Sequence, residues 1–460
     1  MAQTYFYQLV SYKPLLKQAR LNFREDEKCL VVGSIKPHNG WALIISCKTK
    51  STPDLLQKVL PYLKSSECAF RIIKDQTHQY RLNSGTYGEE EIGKAIIVFP
   101  DTLELALEIA VELADLSRGY QGPVVPAALR IGEILYVQKV FLGDGVMHLG
   151  KPDKKGFPFA IPKIYKKEAN RPKILGGCYL PVQEMRTSPK GAVYKAVNLR
   201  MMAFNWCLIK EGRPMIFDDH FDRDMKDRLL WQKEVVLQIH DHIKTPGFID
   251  YIERGDKAYL VLDFAEGESL GHHVRSALQG REWRSLDRAN QERMVRWFLE
   301  AVLLTEQIHN LGMIHRDITD SNFIVLQDDS LCIIDFELSY SRLETKPDPP
   351  FLLGTFGYVS PQQLEYQEPD TGDDVYSLGA LLAFVLTGVQ PHVLLSANLQ
   401  TLRTKLLRLT GSVVLVDAVI KCLKATRQQR CRIDDIKQAI QHYLTISSKH
   451  NDYENHVLAI

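Results

Sequence analysis

His315-Arg316-Asp317-Ile318-Thr319-Asp320-Ser321-Asn322, followed thirteen residues after its asparagine by Asp335-Phe336-Glu337, is the stretch on which the reading of the whole chain turns. Ahead of it, Val295, Phe298, Val302, Thr305 and Ile308 recur at helical spacing, and Gly312 suits the left-handed turn that closes a helix. Behind it, residues 323–326 and 331–334 read as two short strands joined by the polar turn Gln327-Asp328-Asp329-Ser330. Asp317, Asn322 and Asp335 are therefore expected at strand ends, gathered on one loop system. Chemically, they make a general base beside two oxygen ligands suited to a hard cation such as Mg²⁺.

In-line transfer of a γ-phosphoryl group needs an oriented hydroxyl and a cation to neutralise the phosphates, and the stretch resembles the apparatus that protein kinases use for this. On that resemblance Asp317 receives the hydroxyl proton, Asn322 and Asp335 hold Mg²⁺, and ATP is the donor. Upstream, residues 193–197 and 206–210 have the pattern of two antiparallel strands, the second ending on Lys210, within reach of the α- and β-phosphates. The helical stretch 223–239 offers Glu234 as the partner of that lysine, with Met225, Leu229, Leu230, Val236 and Leu237 as its apolar side. We expect a Lys210–Glu234 ion pair; the alternative is an exposed lysine at a strand end. The phosphate-covering segment, residues 185–192, keeps the single glycine Gly191, with Lys190 or Ser188 as candidates for direct phosphate contact. Residues 258–267 form an apolar strand whose end, at Asp263 and Ala265, would present backbone groups to adenine.

Downstream, Gly354-Thr355-Phe356-Gly357-Tyr358-Val359-Ser360-Pro361 resembles the end of a peptide-positioning activation segment. Asp374, in Asp373-Asp374-Val375-Tyr376-Ser377-Leu378-Gly379, resembles the start of the buried helix that supports it. Thr355 stands where Ser/Thr-directed kinases carry a threonine beside the catalytic aspartate. Arg316 has two readings, a partner for a phosphate at Ser341 or Thr345 or a donor to backbone. Two departures from the pattern stand out, Glu337 for the glycine after Asp335-Phe336 and Thr319 for the lysine two residues after the base. Neither removes a metal ligand, so activity is expected.

With 460 residues, 45% apolar and 25% charged, the chain has material for two or three packed domains. A net charge of +1 gives no electrostatic reason to expect nucleic acid or anionic membrane as a partner. The eight cysteines show neither metal-type spacing nor disulfide-scaffold density, and no apolar run is long enough to span a membrane. A reduced, cytoplasmic protein is expected. The organisation reads as residues 1–150, a separate α+β unit; 151–178, a Lys/Pro-rich linker; 179–447, one two-lobed unit with lobes at 179–264 and 265–447; and 448–460, a polar, frayed tail. Within the first unit, strands are expected at 29–34, 42–47, 95–99 and 133–140, and helices at 53–63 and 102–116.

Lys210-Glu211-Gly212-Arg213-Pro214, the acidic Asp218-Asp219, Asp335-Phe336-Glu337, and the earlier Gly40-Trp41, 93–100 and Gly122-Pro123 segments together resemble the class III and class IV lanthionine synthetases. The resemblance implies an N-terminal lyase-like domain followed by a kinase acting on Ser/Thr of a ribosomal precursor peptide. Because no C-terminal zinc cyclase fits after the kinase part, elimination and ring closure are expected to fall to separate lyase and cyclase proteins or to be absent. It also implies a Lys-x-His on the strand after Gly40-Trp41, where this chain has Ala42 and Ile44, and an arginine where it has Gln138. Each lost acid or base is worth about 10²–10⁴ in rate, so the lyase-like domain is expected to be degenerate and kept for peptide binding or scaffolding. Lys94 and Arg71 remain as candidates for a residual phosphate site, with a solvated charge as the alternative for Lys94.

Overall fold

The computed structural model describes residues 10–35, 39–143, 146–150, 157–159, 174–200, 204–219, 221–352, 354–396 and 398–457. They separate into two units, Tyr7–Leu229 with Tyr251–Leu260, and Leu230–Asp250 with Val261–Ile460. The division falls inside a helix, not at the 151–178 stretch, so the sheet that follows that stretch groups with the N-terminal elements.

In the first unit the order is α1 (Lys13–Gln18), β1 (Phe23–Glu25), β2 (Cys29–Val32), β3 (Gly40–Ile45), α2 (Thr52–Ser65), β4 (Ala69–Ile73), α3 (Gln76–Asn83), β5 (Ile96–Phe99), α4 (Leu103–Leu116), β6 (Leu129–Arg130), β7 (Leu135–Gly143) and β8 (Val146–Gly150). The strands make one antiparallel sheet in the order β1-β2-β4-β5-β3-β7-β6, with β8 on β7. Its central strand β5 is Ile96-Ile97-Val98-Phe99, apolar on both faces because both are covered. On one face Leu56, Leu60 and Leu63 of α2 and Ile109 and Leu113 of α4 pack with Leu43, Ile45 and Val98. Thr102 caps α4 by accepting from the Leu105 N–H at 3.2 Å. On the other face Ala42, Ile44, Ile97, Phe99, Tyr136 and Val140 form a smaller apolar cluster. All six expected elements are present, with shifted ends. The interior strand β4 was not foreseen, because Arg71 interrupts its apolar alternation. Of the Lys/Pro-rich stretch most lies outside the described residues, yet Phe157 and Phe159 set their rings edge-on to Trp41 at 5.5 and 5.6 Å.

A second sheet follows, of β9 (Tyr179–Ser188), β10 (Gly191–Asn198), β11 (Asn205–Gly212), β12 (Phe248–Arg254) and β13 (Lys257–Asp263), ordered β12-β13-β11-β10-β9. β10 and β11 run antiparallel with Val193 opposite Lys210, as read from the sequence. The helix α5 (Met225–Ile239) joins the two units in sequence. Its buried residues are Met225, Arg228, Leu229, Trp231, Gln232, Val235, Val236 and Ile239, whereas Leu230 and Leu237 are 38% and 57% exposed. The expected apolar side is corrected accordingly. Two long polar side chains, Arg228 and Gln232, occupy the covered face and break the apolar periodicity.

The other unit continues with β14 (Gly267–Ser269), α6 (Leu270–Leu278), α7 (Arg288–Asn310), β15 (Met313–Ile314), β16 (Phe323–Leu326), β17 (Leu331–Ile333), β18 (Tyr340–Ser341), α8 (Pro361–Leu364), α9 (Thr371–Thr387), α10 (Pro391–Leu394), α11 (Leu399–Thr410), α12 (Val413–Cys422) and α13 (Ile433–Val457). Helix α7 buries the predicted stripe and Gly312 follows it at φ +76°. Helix α9, capped by Asp370 and Asp373 in a reciprocal box, is buried almost throughout. The tail expected to fray is instead helical, since α13 runs on to Val457.

Candidate functional site

The loop between β15 and β16 carries the decisive residues. The Asp317 carboxylate is held from two sides. Its Oδ1 accepts from the Thr355 N–H at 3.0 Å and the Thr355 hydroxyl at 2.8 Å, and its Oδ2 accepts from Asn322 Nδ2 at 3.0 Å. Asn322 Nδ2 also donates to the Asp317 carbonyl at 2.8 Å, which fixes the amide and turns Oδ1 away as a free acceptor. Asp335 follows β17 with φ +70°, a left-handed backbone that short polar side chains tolerate better than most. The Asn322 carbonyl accepts from the Ile334 N–H at 2.9 Å, so the two segments that bear Asn322 and Asp335 are tied together.

Beneath the loop, Asp374 at the start of α9 is fully buried. It accepts from the His315 and Arg316 N–H groups, both at 2.8 Å, and from His309 Nε2 at 2.9 Å. Burial alone would raise this carboxyl; the hydrogen bonds and charge from His309, with the backbone donors, outweigh it and hold the group below its ordinary range. Arg316, at φ +67°, donates from Nη1 to the Leu338 carbonyl at 3.0 Å, the backbone-bonded reading of this residue. Ser341 is buried in β18 and is corrected as a phosphate acceptor on grounds of access, while Thr345 is exposed. Glu337 is also buried, and Thr319 shares a hydrogen bond with Ser321 at 3.0 Å.

At the end of β13, Asp263 donates its N–H to the Gly247 carbonyl at 2.9 Å, and Ala265 follows two residues on. Glu234 is exposed on α5 and belongs to the same unit as Asp317, Asn322, Asp335, Thr355 and Asp374. Lys210 and Gly191 belong to the N-terminal unit. A Cβ on Gly191, whose φ is +149°, would lie 1.9 Å from the Glu211 carbonyl oxygen, so close packing of β10 on β11 is what demands glycine there. Ser188 hydroxyl donates to the Gly191 carbonyl at 3.3 Å and Lys190 Nζ lies 5.1 Å from the Phe217 ring centre, so both side chains are engaged locally.

In the same unit Lys94 and Arg71 converge on Glu91, at 3.1 and 3.7 Å, in a cleft of about 630 Å³ that His148 also lines. Lys94 is buried, which corrects the reading of it as a solvated charge. Ala42 faces Gln138 across β3 and β7, and both, like Ile44, are shielded from solvent.

Several supporting residues carried no sequence signal. Asp320 accepts from Tyr358 Oη at 2.7 Å and from Arg275 at 3.3 Å; burial, then the Asp320 charge, pushes the Tyr358 phenol far upward. Asp373 accepts from the Ser360 hydroxyl at 2.7 Å and pairs with Arg427 at 2.7 Å. Arg430 donates to the Gln362 side-chain oxygen at 2.5 Å. These partners lie between 13 and 68 residues apart, beyond any local pattern.

Residues 216–444 match the family model of the protein kinase domain, and residues 24–138 match that of the RamC N-terminal domain. The kinase match begins after Gly191 and Lys210. The chain is 26% identical over 238 residues to serine/threonine-protein kinase B of Synechocystis sp., covering 49% of this chain and 39% of that protein. It is 32% identical over 163 residues to sperm motility kinase 2B of Mus musculus, covering 34% and 30%. It is 24% identical over 295 residues to serine/threonine-protein kinase Nek10 of Mus musculus, covering 61% and 25%. The chain thus spans about two fifths or less of these curated relatives. Together the domain and its relatives support a Ser/Thr protein kinase.

Proposed function

We propose, for a chain that carries a protein kinase domain, that it is an ATP- and Mg²⁺-dependent Ser/Thr kinase whose acceptor is a ribosomally made precursor peptide, as in class III and class IV lanthionine synthetases. The observation that carries the reading is the clasp on Asp317, from Thr355 on one oxygen and Asn322 on the other. Oδ1 accepts two hydrogen bonds and Oδ2 one, so Oδ2 keeps a lone pair with which the oriented carboxylate can take the proton of an incoming hydroxyl.

The residues fit Mg²⁺ and ATP. Among the described residues no three His, Cys, Asp or Glu side chains converge on a point, so the protein offers Asn322 and Asp335 and leaves the other positions to phosphate oxygens and water, as Mg²⁺ prefers. When bound, ATP and its metal supply the transferable γ-phosphoryl group and neutralise its charge. Lys210 would bind the α- and β-phosphates, and the Asp263 carbonyl and Ala265 N–H would bind adenine. Asp374 keeps the loop rigid from below.

The N-terminal domain, in this reading, binds or scaffolds and does not eliminate phosphate, because Ala42, Ile44 and Gln138 offer neither base nor acid. Lyase and cyclase steps, where they occur, fall to separate proteins. No helix among the described residues is long and apolar enough to cross a membrane, and we place the protein in the cytoplasm without a nucleic-acid partner. A regulatory kinase with a docking domain is the second reading, favoured by the likeness to serine/threonine-protein kinase B.

The test is incubation of the purified chain with radiolabelled ATP, Mg²⁺ and small peptides encoded beside it, with Asp317→Asn as control. Label on peptide Ser/Thr, reduced by about 10²–10⁴ in the control, is expected. Label on no peptide but on a cellular protein would favour the regulatory reading.

A further inference from the structure

The segment between β11 and α5, residues 213–224, is anchored in the N-terminal domain. Asp218, 1% exposed, accepts from the Thr49 N–H at 2.5 Å and from Asn83 Nδ2 at 3.0 Å. Asn83, on α3, donates also to the Cys47 carbonyl at 3.1 Å. Beside this contact Ile216 and Met225 pack against Ile92, Tyr80 sets its ring edge-on to Phe217 at 6.2 Å, and buried Arg228 donates to Tyr80 Oη at 3.1 Å. Lys48 pairs with Asp222 at 2.9 Å at the rim.

The backbone of the segment is costly on its own. Met215, Phe217 and Asp222 take φ of +59°, +58° and +68°, a left-handed region that bulky residues persist in only where surroundings over-determine it. Met225 then donates its N–H to the Ile216 carbonyl at 3.1 Å, and Asp224 accepts from the Met215 N–H at 2.7 Å, so the seated segment fixes the first turn of α5. Nine residues along that same helix stands Glu234.

We propose that Asp218 is a positioning residue, a plug seated in the N-terminal domain that holds α5 in the orientation phosphoryl transfer requires. The inference rests on the kinase reading and assigns the N-terminal domain a part in it, that of an activator within the chain. A buried carboxylate held by two donors, with no cation on it among the described residues, is also an unusual choice for mere packing. Among the described residues, the titratable groups that face Asp218 are Tyr12, Cys47 and Asp219, all acids, while Lys48, Arg223 and Arg228 are engaged with Asp222, Asp219 and Tyr80. Burial, offset in part by Thr49 and Asn83, pushes its carboxyl up to about 7. A carboxyl raised above its undocked value of about 4 weakens the seat wherever it must ionise, so the seat is loosest above pH 7 and tightens as pH falls from 7 toward 4.

The experiment compares the full chain with Asn83→Ala, Asp218→Ala and Asp218→Asn by steady-state phosphorylation from pH 6 to 8.5 and by amide hydrogen exchange. Asn83→Ala and Asp218→Ala should lower kcat at least about tenfold with little change in the peptide KM, and should speed exchange of residues 213–235 selectively. Asp218→Asn keeps the Thr49 bond and can donate to Asn83 Oδ1 once that amide flips away from the Cys47 carbonyl, so it should retain more kcat than Asp218→Ala and abolish the fall in rate above pH 7. Wild-type kcat and unchanged exchange in both alanine variants would overturn the proposal. If the wild-type chain transfers no phosphate, the kinase reading falls instead, and the exchange of residues 213–235 still decides whether the plug holds the helix.

Discussion

At the residue scale, the catalytic carboxylate is as good as its clasp. Thr355→Ala removes one of the two donors on Asp317 Oδ1 but leaves the backbone N–H. A hydrogen bond to a charged group is worth about 1.5–3 kcal/mol, and the exposure of Thr355 places this one at the low end, so kcat should fall roughly tenfold with the ATP KM unchanged. Steady-state kinetics against both substrates reads this directly. Asp374 gives a second prediction. A carboxyl held below its ordinary value stabilises the fold wherever it is ionised, so its contribution is complete above about pH 4 and is lost as pH falls through the lower folded value. Asp374→Asn sets an amide NH₂ against the His315 or Arg316 N–H and should cost about 3 kcal/mol near neutrality, with the variant losing the wild-type stability drop at acid pH; chemical denaturation at pH 7 and pH 3.5 measures both. Asp317, Asn322 and Thr355 could be read in the sequence because short loop spacing forces two of them together and the third sits in a recognisable segment. Of the two readings of Lys94, the solvated charge fails because its partner Glu91 lies three residues back in a turn of three glutamates, a local pairing that looks from sequence like mere surface charge.

At the element scale, strands and helices with a clean period were legible, and those whose buried face carries polar groups were not. Helix α5 shows why. Trp231 is buried and donates its indole N–H to the Ser339 carbonyl at 2.8 Å, whereas Leu237 lies in solvent. Leu237→Lys should therefore change stability by less than about 0.5 kcal/mol, while Trp231→Ala should cost about 3–5 kcal/mol; urea denaturation of the pair separates the two faces. Strand β10 teaches the complementary lesson. Gly191 was singled out as the glycine of a phosphate-covering loop, yet its Cβ direction is closed by the Glu211 carbonyl. Gly191→Ala should then lower the melting temperature, by about 2–4 kcal/mol of stability, in the absence of any nucleotide, an effect that a purely ligand-facing glycine would not show.

At the scale of the whole molecule, the two halves of the sequence carry different chemistry. The kinase half retains its carboxylates and their donors. In the N-terminal sheet, the face bearing Ala42, Ile44, Ile97, Phe99, Tyr136 and Val140 is packed with apolar side chains. On the lanthionine-synthetase resemblance, elimination would need a wet, charged cleft at positions 42 and 44, and Ala42 and Ile44 are both fully shielded here. Putting Lys at 42 and His at 44 would bury a charge without a partner among those side chains, at a cost of several kcal/mol, so the substitutions should destabilise the sheet before they could act. We therefore expect the chain, given ATP, Mg²⁺ and a Ser/Thr peptide, to accumulate phosphopeptide with no dehydrated product, and Ala42→Lys with Ile44→His to lower the melting temperature without yielding one. Mass spectrometry of the peptide beside thermal denaturation of both proteins checks this. Dehydroalanine or dehydrobutyrine in the wild-type reaction would show that acid and base groups elsewhere in the domain, with Lys94 and Arg71 the first to test by alanine substitution, perform the elimination.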